Sequence, residues 1–298
     1  MSREGRAAGL IILAASGYGS LSIGTALADR AGMTLIALMA WRYALAAPVL
    51  VIAAGGLSRI RVAPRAALPL LLLGGGGQTL ITWFSLSSLE WLTAAALGFL
   101  FYTYPAWVAV FAAITGAERL TPVRVGALLL ALAGITLMVG SPWSTPMPWQ
   151  GVVRALGSAV IYALYIPLIH RLRGPLDASV ASTYIVTGAG VVFLAIAAVT
   201  GTLFTGLTPE TFAIAFALAG FSTAVAFIAF LRGLEVLGPV RSAILSTVEP
   251  FWTALLGAAV LGQAVGATGF IGGVAIVAAI LLLQRSGRPA IPPAPAPD

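Results

Sequence analysis

Glu249 is the one carboxylate near the centre of an apolar stretch in this chain, and Arg42 and Arg154 are the basic residues set inside such stretches. A charged side chain in hydrocarbon surroundings is costly and seldom faces lipid, so these positions mark places where something polar is handled. An ionised acid there must be paired, hydrated or neutralised by a proton. Glu249 therefore reads either as a proton-coupling group or as a hydrogen-bond partner for backbone freed by Pro250. Arg42 and Arg154 read either as anchors for a substrate carboxylate or as packing-level hydrogen-bond partners.

Around these charges stand uncharged polar and aromatic side chains at interior depths. Gln78, Thr79 and Thr82 form one polar group, and Ser222 and Thr223 form another. Phe99, Phe101, Tyr102, Tyr104 and Trp107 crowd around Pro105, while Tyr18, Trp83, Tyr162 and Tyr165 lie on other stretches. Aromatic faces bind flat apolar groups and attract organic cations. They serve packing and lipid contact equally well. Pro105 and Pro250 each remove a helix hydrogen bond, and backbone carbonyls freed there can line a cavity that also includes Trp107 and Trp252. The glycine run 74–77 reads as close helix packing.

Several kinds of chemistry are excluded. All sixteen basic residues are arginine and cysteine is absent. A phosphate loop lacks its lysine, a Schiff base lacks its amine, and disulfides, zinc thiolates and thiol nucleophiles are impossible. The single histidine, His170, beside Arg171, makes neither a triad nor a multi-histidine metal site. No catalytic residue, metal site or cofactor is expected.

The elements that position these residues are apolar and long. Hydrophobic residues make up 60% of the chain and charged residues 8%, against about 25% charged in a soluble domain. Turn signals divide the chain into ten stretches: 7–28, 34–54, 66–87, 91–114, 122–140, 148–170, 178–200, 209–231, 238–261 and 265–284. Each approximates the roughly 20 residues needed to cross a bilayer as a helix. Thirteen of the sixteen arginines lie before the first stretch or after stretches two, four, six, eight and ten; the opposite connections hold only Arg30. Retained arginines mark the cytoplasmic side, so both termini are placed there, in a multi-pass protein of a bacterial-type inner membrane. The net charge of +7 reads as topology and lipid attraction, with no nucleic-acid footprint. Trp143 and Trp149 read as interface anchors, and the proline-rich segment 285–298 as a disordered tail.

A shift of 145 residues superposes Glu90 on Glu235, Pro105 on Pro250 and Trp107 on Trp252, all scarce residue types here, and pairs Gln78 with Thr223. The chain is read as two five-helix repeats, 1–140 and 148–284, joined by an outer connection 141–147. Five crossings are an odd number, so the second repeat enters the membrane from the other face. The fold expected is an all-α integral membrane protein of ten transmembrane helices in two inverted-topology repeats.

Pro105 and Trp107, Gly116-Ala117-Glu118-Arg119-Leu120-Thr121, Gly126 and Gly134 resemble the ten-helix EamA-type branch of the drug/metabolite transporter superfamily. So do Val248-Glu249-Pro250-Phe251-Trp252, Leu261-Gly262-Gln263 and Gly272-Gly273 in the second copy. Trp41-Arg42-Tyr43 fits the family's arginine in helix two. Gln263 departs from the glutamate usual there, and Gly17-Tyr18-Gly19-Ser20 stands where a tryptophan-glycine pair is frequent. The resemblance implies a secondary transporter that exports small metabolites by alternating access, most like the exporters of aromatic and other neutral amino acids. Its partners would be a small-molecule substrate and membrane lipid, with no ATPase subunit. The alternatives are an exporter of organic cations or drugs and, from another class, a lipid-modifying membrane enzyme or a non-transporting sensor.

Two outcomes are expected. Reporter fusions after residues 60, 120, 172 and 286 report cytoplasm, and those near 145 and 205 report the outer side; the reverse pattern at Trp143 contradicts the inverted repeat. Purified protein in liposomes transports without nucleotide, and strict ATP dependence contradicts the exclusion of a nucleotide site.

Overall fold

The computed structural model describes residues 2–118, 120–139, 147–262 and 266–285. Arg119, Trp143, Gln263 and the tail from 286 onward lie outside the described residues. Helices account for the described chain apart from turns and connections.

We number the spans in chain order. They are α1 (Arg3–Arg30), α2 (Leu35–Ala53), α3 (Pro64–Ser88), α4 (Ala94–Phe101 with Tyr104–Ile114), α5 (Pro122–Val139), α6 (Trp149–Arg173) and α7 (Ala178–Val199). The last three are α8 (209–237), α9 (239–246 with Glu249–Leu261) and α10 (Ala267–Arg285). Gly238, at φ 75°, separates α8 from α9, a left-handed backbone that glycine adopts without penalty. Starts are set by local chemistry: Ser2, Thr34, Thr93 and Asp177 accept hydrogen bonds from first-turn N–H groups of α1, α2, α4 and α7. Pro64 and Pro209 stand in the first turn of α3 and α8, where a missing N–H costs nothing.

The expected ten spans are thus present, in two repeats. Packing follows a two-fold scheme: α1 lies along α8 and α9, α6 lies along α3 and α4, α2 pairs with α7, and α5 with α10. Exchanging the halves maps this set of neighbours onto itself. With five crossings in each half, the repeats are inverted.

The interruptions repeat too. α4 stops at Phe101 and resumes at Tyr104; α9 stops at Ser246 and resumes at Glu249, each boundary 145 residues from its counterpart. Pro105 and Pro250 stand in the first turn of the resumed helices, so the break precedes them and does not bend around them. α3 widens into π-helix at Leu73–Gln78 and α8 at Ala219–Val225, again at matching depths. Beside the first π segment α3 and α7 meet backbone to backbone: a methyl added to Gly74 would collide with the carbonyl of Ile185, and one added to Gly188 with that of Leu71. Gly134 and Gly272 make a similar crossing between α5 and α10.

Gly17-Tyr18-Gly19-Ser20 lets α1 run between α8 and α9. A Cβ on Gly17 would lie 2.9 Å from that of Ala226, and one on Gly19 would lie 2.9 Å from the Glu249 carbonyl. Thr253 donates to the Gly19 carbonyl at 3.1 Å, and the hydroxyls of Ser20 and Ser222 are hydrogen-bonded at 2.7 Å. The segment that departs from the family pattern is therefore a packing device. Gly19→Val should cost about 1–3 kcal/mol of stability by overpacking, seen as a lower melting temperature in detergent. Gly9→Val, where an added Cβ meets nothing within 4 Å, should leave melting unchanged; equal effects would contradict this packing.

Candidate functional site

A cavity of about 170 Å³ lies between the halves. Tyr18 and Leu21 reach it from α1, Arg42 and Tyr43 from α2, Gln78 and Ile81 from α3, and Phe101 from α4. The second half supplies Tyr162, Tyr165, Ile166 and Ile169 from α6, Phe227 and Phe230 from α8, and Glu249 from α9. The helix interruptions face it. Gln78 closes the π segment of α3, Phe101 is the last residue before the break in α4, and Glu249 is the first after the break in α9.

Arg42 is buried, at 3% exposure. Its guanidinium carbon lies 4.3 Å from the Tyr43 ring centroid, and Nη2 donates to the Met39 sulfur at 3.3 Å. Nε reaches no acceptor, and among the described residues no carboxylate pairs with this arginine. The balance of magnitudes matters. A cation over a ring gains about 0.5–2 kcal/mol, whereas arginine at the centre of a membrane helix costs roughly 2.5–3.5 kcal/mol even on the mildest scale. The protein leaves the charge under-compensated on a cavity wall. Tyr43 is itself fixed by stacking on Phe193 of α7 at 5.6 Å, which holds the ring beneath the guanidinium.

Glu249 opens the resumed half of α9, where the N-terminal end of a helix favours negative charge. The N-cap is Val248, without a side-chain cap, and Glu249 lines the cavity. Arg42 and Glu249 share the cavity without forming an ion pair. Between them the walls are aromatic: Tyr18 meets Phe227 edge-on at 5.9 Å, and Tyr162 stacks on Phe101 at 5.5 Å. The Tyr165 hydroxyl has no hydrogen-bond partner among the described residues. Such a chamber can hold a small molecule carrying both charges and a flat or apolar body.

The candidates named from sequence divide into three groups. Tyr18, Arg42, Gln78, Phe101, Tyr162, Tyr165 and Glu249 line the cavity. Tyr102, Tyr104 and Pro105 back it, Tyr104 with its ring 4.7 Å from that of Tyr162, and Pro250 is buried behind Glu249. The others serve elsewhere. Thr82 bonds the Gln78 carbonyl one turn back, Ser222 bonds Ser20, and Thr223 bonds the Leu218 carbonyl, so Gln78 and its counterpart Thr223 do not share the lining. Trp107 and Trp252 pack beside Phe111 and Phe251.

Arg154, a candidate carboxylate anchor, lies at the opposite end of α6 from Arg173. It pairs there with Glu90 at 3.4 Å, donates to the Ser87 carbonyl, and lies over the rings of Trp91 and Trp83. Trp83, 56% exposed, belongs to this group and not to the cavity. Sequence reasoning missed Tyr43, Phe227 and Phe230. The signal available was spacing: Phe227 and Phe230 lie three apart on α8 just beyond Ser222 and Thr223, and so present one face.

Similarity to known proteins agrees with this architecture. The chain is 25% identical over 224 residues to the uncharacterized inner membrane transporter YicL of Salmonella typhimurium strain LT2, covering 74% of each protein. A protein crystal structure superposes with a TM-score of 0.77 at 23% identity, spanning 94% of this chain and 98% of that one, which is a likeness of fold. The EamA-like transporter family matches residues 5–140 and again 149–285, the two five-helix repeats. With nearly the whole chain matched, this protein belongs to the EamA-like transporter family and is a transporter, not an enzyme.

Proposed function

We propose that this chain is an inner-membrane secondary transporter that exports small zwitterionic metabolites, aromatic and other neutral amino acids first among them. The observation that carries the reading is the pair of charges on one cavity. Arg42 receives the substrate carboxylate, Glu249 faces its ammonium, and Tyr18, Phe101, Tyr162 and Phe227 hold its side chain. The volume of about 170 Å³ supports a small metabolite, since pockets for drug-sized ligands run to roughly 300–1,000 Å³. Organic cations suit the aromatic walls and Glu249, but the uncompensated Arg42 repels them. The inner-membrane assignment is supported by the name of the YicL relative, and the arginine pattern supports cytoplasmic termini. The halves 1–140 and 148–284 act as the two bodies that rock about the cavity.

Counterflow in proteoliposomes tests the substrate class. Liposomes loaded with unlabelled phenylalanine, tyrosine, tryptophan or leucine should accumulate labelled phenylalanine. Loading with phenethylamine or tetraethylammonium should not support accumulation, and exchange of the cations in place of the amino acids contradicts the reading.

Glu249 is also the coupling group in this reading, because it is the one carboxylate on the cavity. Glu249→Gln should abolish uphill transport driven by a pH gradient while exchange persists with weakened affinity, since the amide keeps shape and hydrogen bonding but cannot titrate. Unchanged pH-driven accumulation by the variant would remove Glu249 from coupling.

A further inference from the structure

The two connections that the repeat makes equivalent, 90–96 between α3 and α4 and 235–241 between α8 and α9, are used differently. On the face that carries the N terminus, the 235–241 connection touches three other parts of the molecule, two of them through charge. Glu235 accepts from Arg173 at the end of α6, at 2.7 Å; Arg241 pairs with Glu4 at the start of α1, at 3.3 Å. Gly238 lies against Glu118 of the α4–α5 connection, where an added Cβ would stand 3.0 Å from Oε1, and Glu118 in turn holds Arg124 at 2.8 Å. All three arginine side chains are 9–10% exposed. On the other face, the single ion pair among the described residues is Glu90 with Arg154, whose side chains are 62% and 31% exposed.

Burial shows the same asymmetry. Fifteen of the 21 residues in 226–246 are buried. In the equivalent stretch 81–101 the buried side chains described are Ile81, Ser88, Leu92, Ala96 and Leu100. The first copy keeps one of the two charges, Glu90 at the position of Glu235, and lacks the other: Ala96 stands at the position of Arg241.

The closed layer lies directly beneath the cavity. Ile169 lines the cavity and Arg173 follows one helical turn later, about 6 Å along the axis at 1.5 Å per residue. Phe230 lines it as well, and the adjacent Leu231 carbonyl accepts from Arg173 Nη1 at 3.1 Å.

We infer that the 235–241 connection is the gate on the N-terminal face, with Glu235 and Arg241 as positioning residues that hold α6 and α1 closed beneath the cavity. Transport requires these pairs to part, and the opposite face, with its thinner seal, is the one from which the cavity is reached in this conformation. The inference rests on the alternating-access reading, yet its test uses no substrate and so can fail independently of the amino-acid assignment.

Because the chain has no cysteine, single cysteines report access without background. In membrane vesicles of each orientation, a membrane-impermeant maleimide is applied to full-length Ile169→Cys and, separately, Leu21→Cys, which reaches the cavity from nearer the opposite face. Arg241→Glu should raise the labelling of Ile169→Cys from the N-terminal face by about tenfold, as a shift in the population of open states. Labelling of Leu21→Cys from the other face should fall. Adding Glu4→Arg should restore both rates, which a general loosening of the fold would not do. Unchanged labelling after Arg241→Glu, a rise at both faces together, or a change that Glu4→Arg does not reverse would overturn the gate.

Discussion

The organisation of this protein depends on one buried charge. Arg42 sits inside a bundle of apolar spans with a tyrosine face and a methionine sulfur as its neighbours and, among the described residues, no carboxylate as its partner. A guanidinium so placed is favoured by an anion that reaches the cavity, the part proposed for the substrate carboxylate. The surrounding features are consistent with that demand. Phe193 fixes Tyr43 from α7, and Glu249 lies on the same cavity without quenching the charge. Had Arg42 and Glu249 met in an ion pair, each would have satisfied the other and left little for a ligand.

The scaffold that holds the charges apart is nearly symmetric, and its contents are not. Matching breaks at 101–104 and 246–249 tighten both halves at equivalent places beside the cavity, with the backbone still paired there: the Thr103 N–H donates to the Leu100 carbonyl and the Thr247 N–H to the Ile244 carbonyl, each at 3.2 Å. At the equivalent positions after these breaks stand Tyr104 and Glu249. The repeat duplicates the geometry, and substitution at one residue confines the negative charge to a single wall. The same logic separates the two faces: equivalent connections carry a charged clamp on one side and one exposed ion pair on the other.

Much of this was legible in the sequence. Span number and repeat could be read because hydropathy, arginine placement and scarce residues such as Pro105, Trp107 and their counterparts carry strong signals. Depth was legible too, which is why Arg42 and Glu249 stood out. Rotation about the helix axis was not: Trp83 belongs to the surface of the bundle because its helix turns it away from the centre, and no spacing rule within one span gives that angle, whereas Arg154 lies too near the end of α6 to reach the cavity. The π segments were hidden for a related reason, since Gly74 to Gly77 has the composition of any close crossing. Phe227 and Phe230 escaped notice because phenylalanine is unremarked in an apolar span. Gly17-Tyr18-Gly19-Ser20 looked like a departure from a pattern and proved to be the contact that seats α1 against α8 and α9.

The proposed role of Arg42 requires that it meet the substrate's carboxylate. The direct measurement is the affinity of purified protein for phenylalanine and for phenylalaninamide, in the parent and in Arg42→Gln. Losing one partner of a buried charge pair costs roughly 2–5 kcal/mol, about 30-fold in affinity at the lower end. The parent should therefore bind the amide at least that much more weakly than the acid, while Arg42→Gln binds acid and amide alike, so that the two losses do not add. Losses that add, with the variant still preferring the acid by the parent's full margin, would show that the carboxylate is held elsewhere.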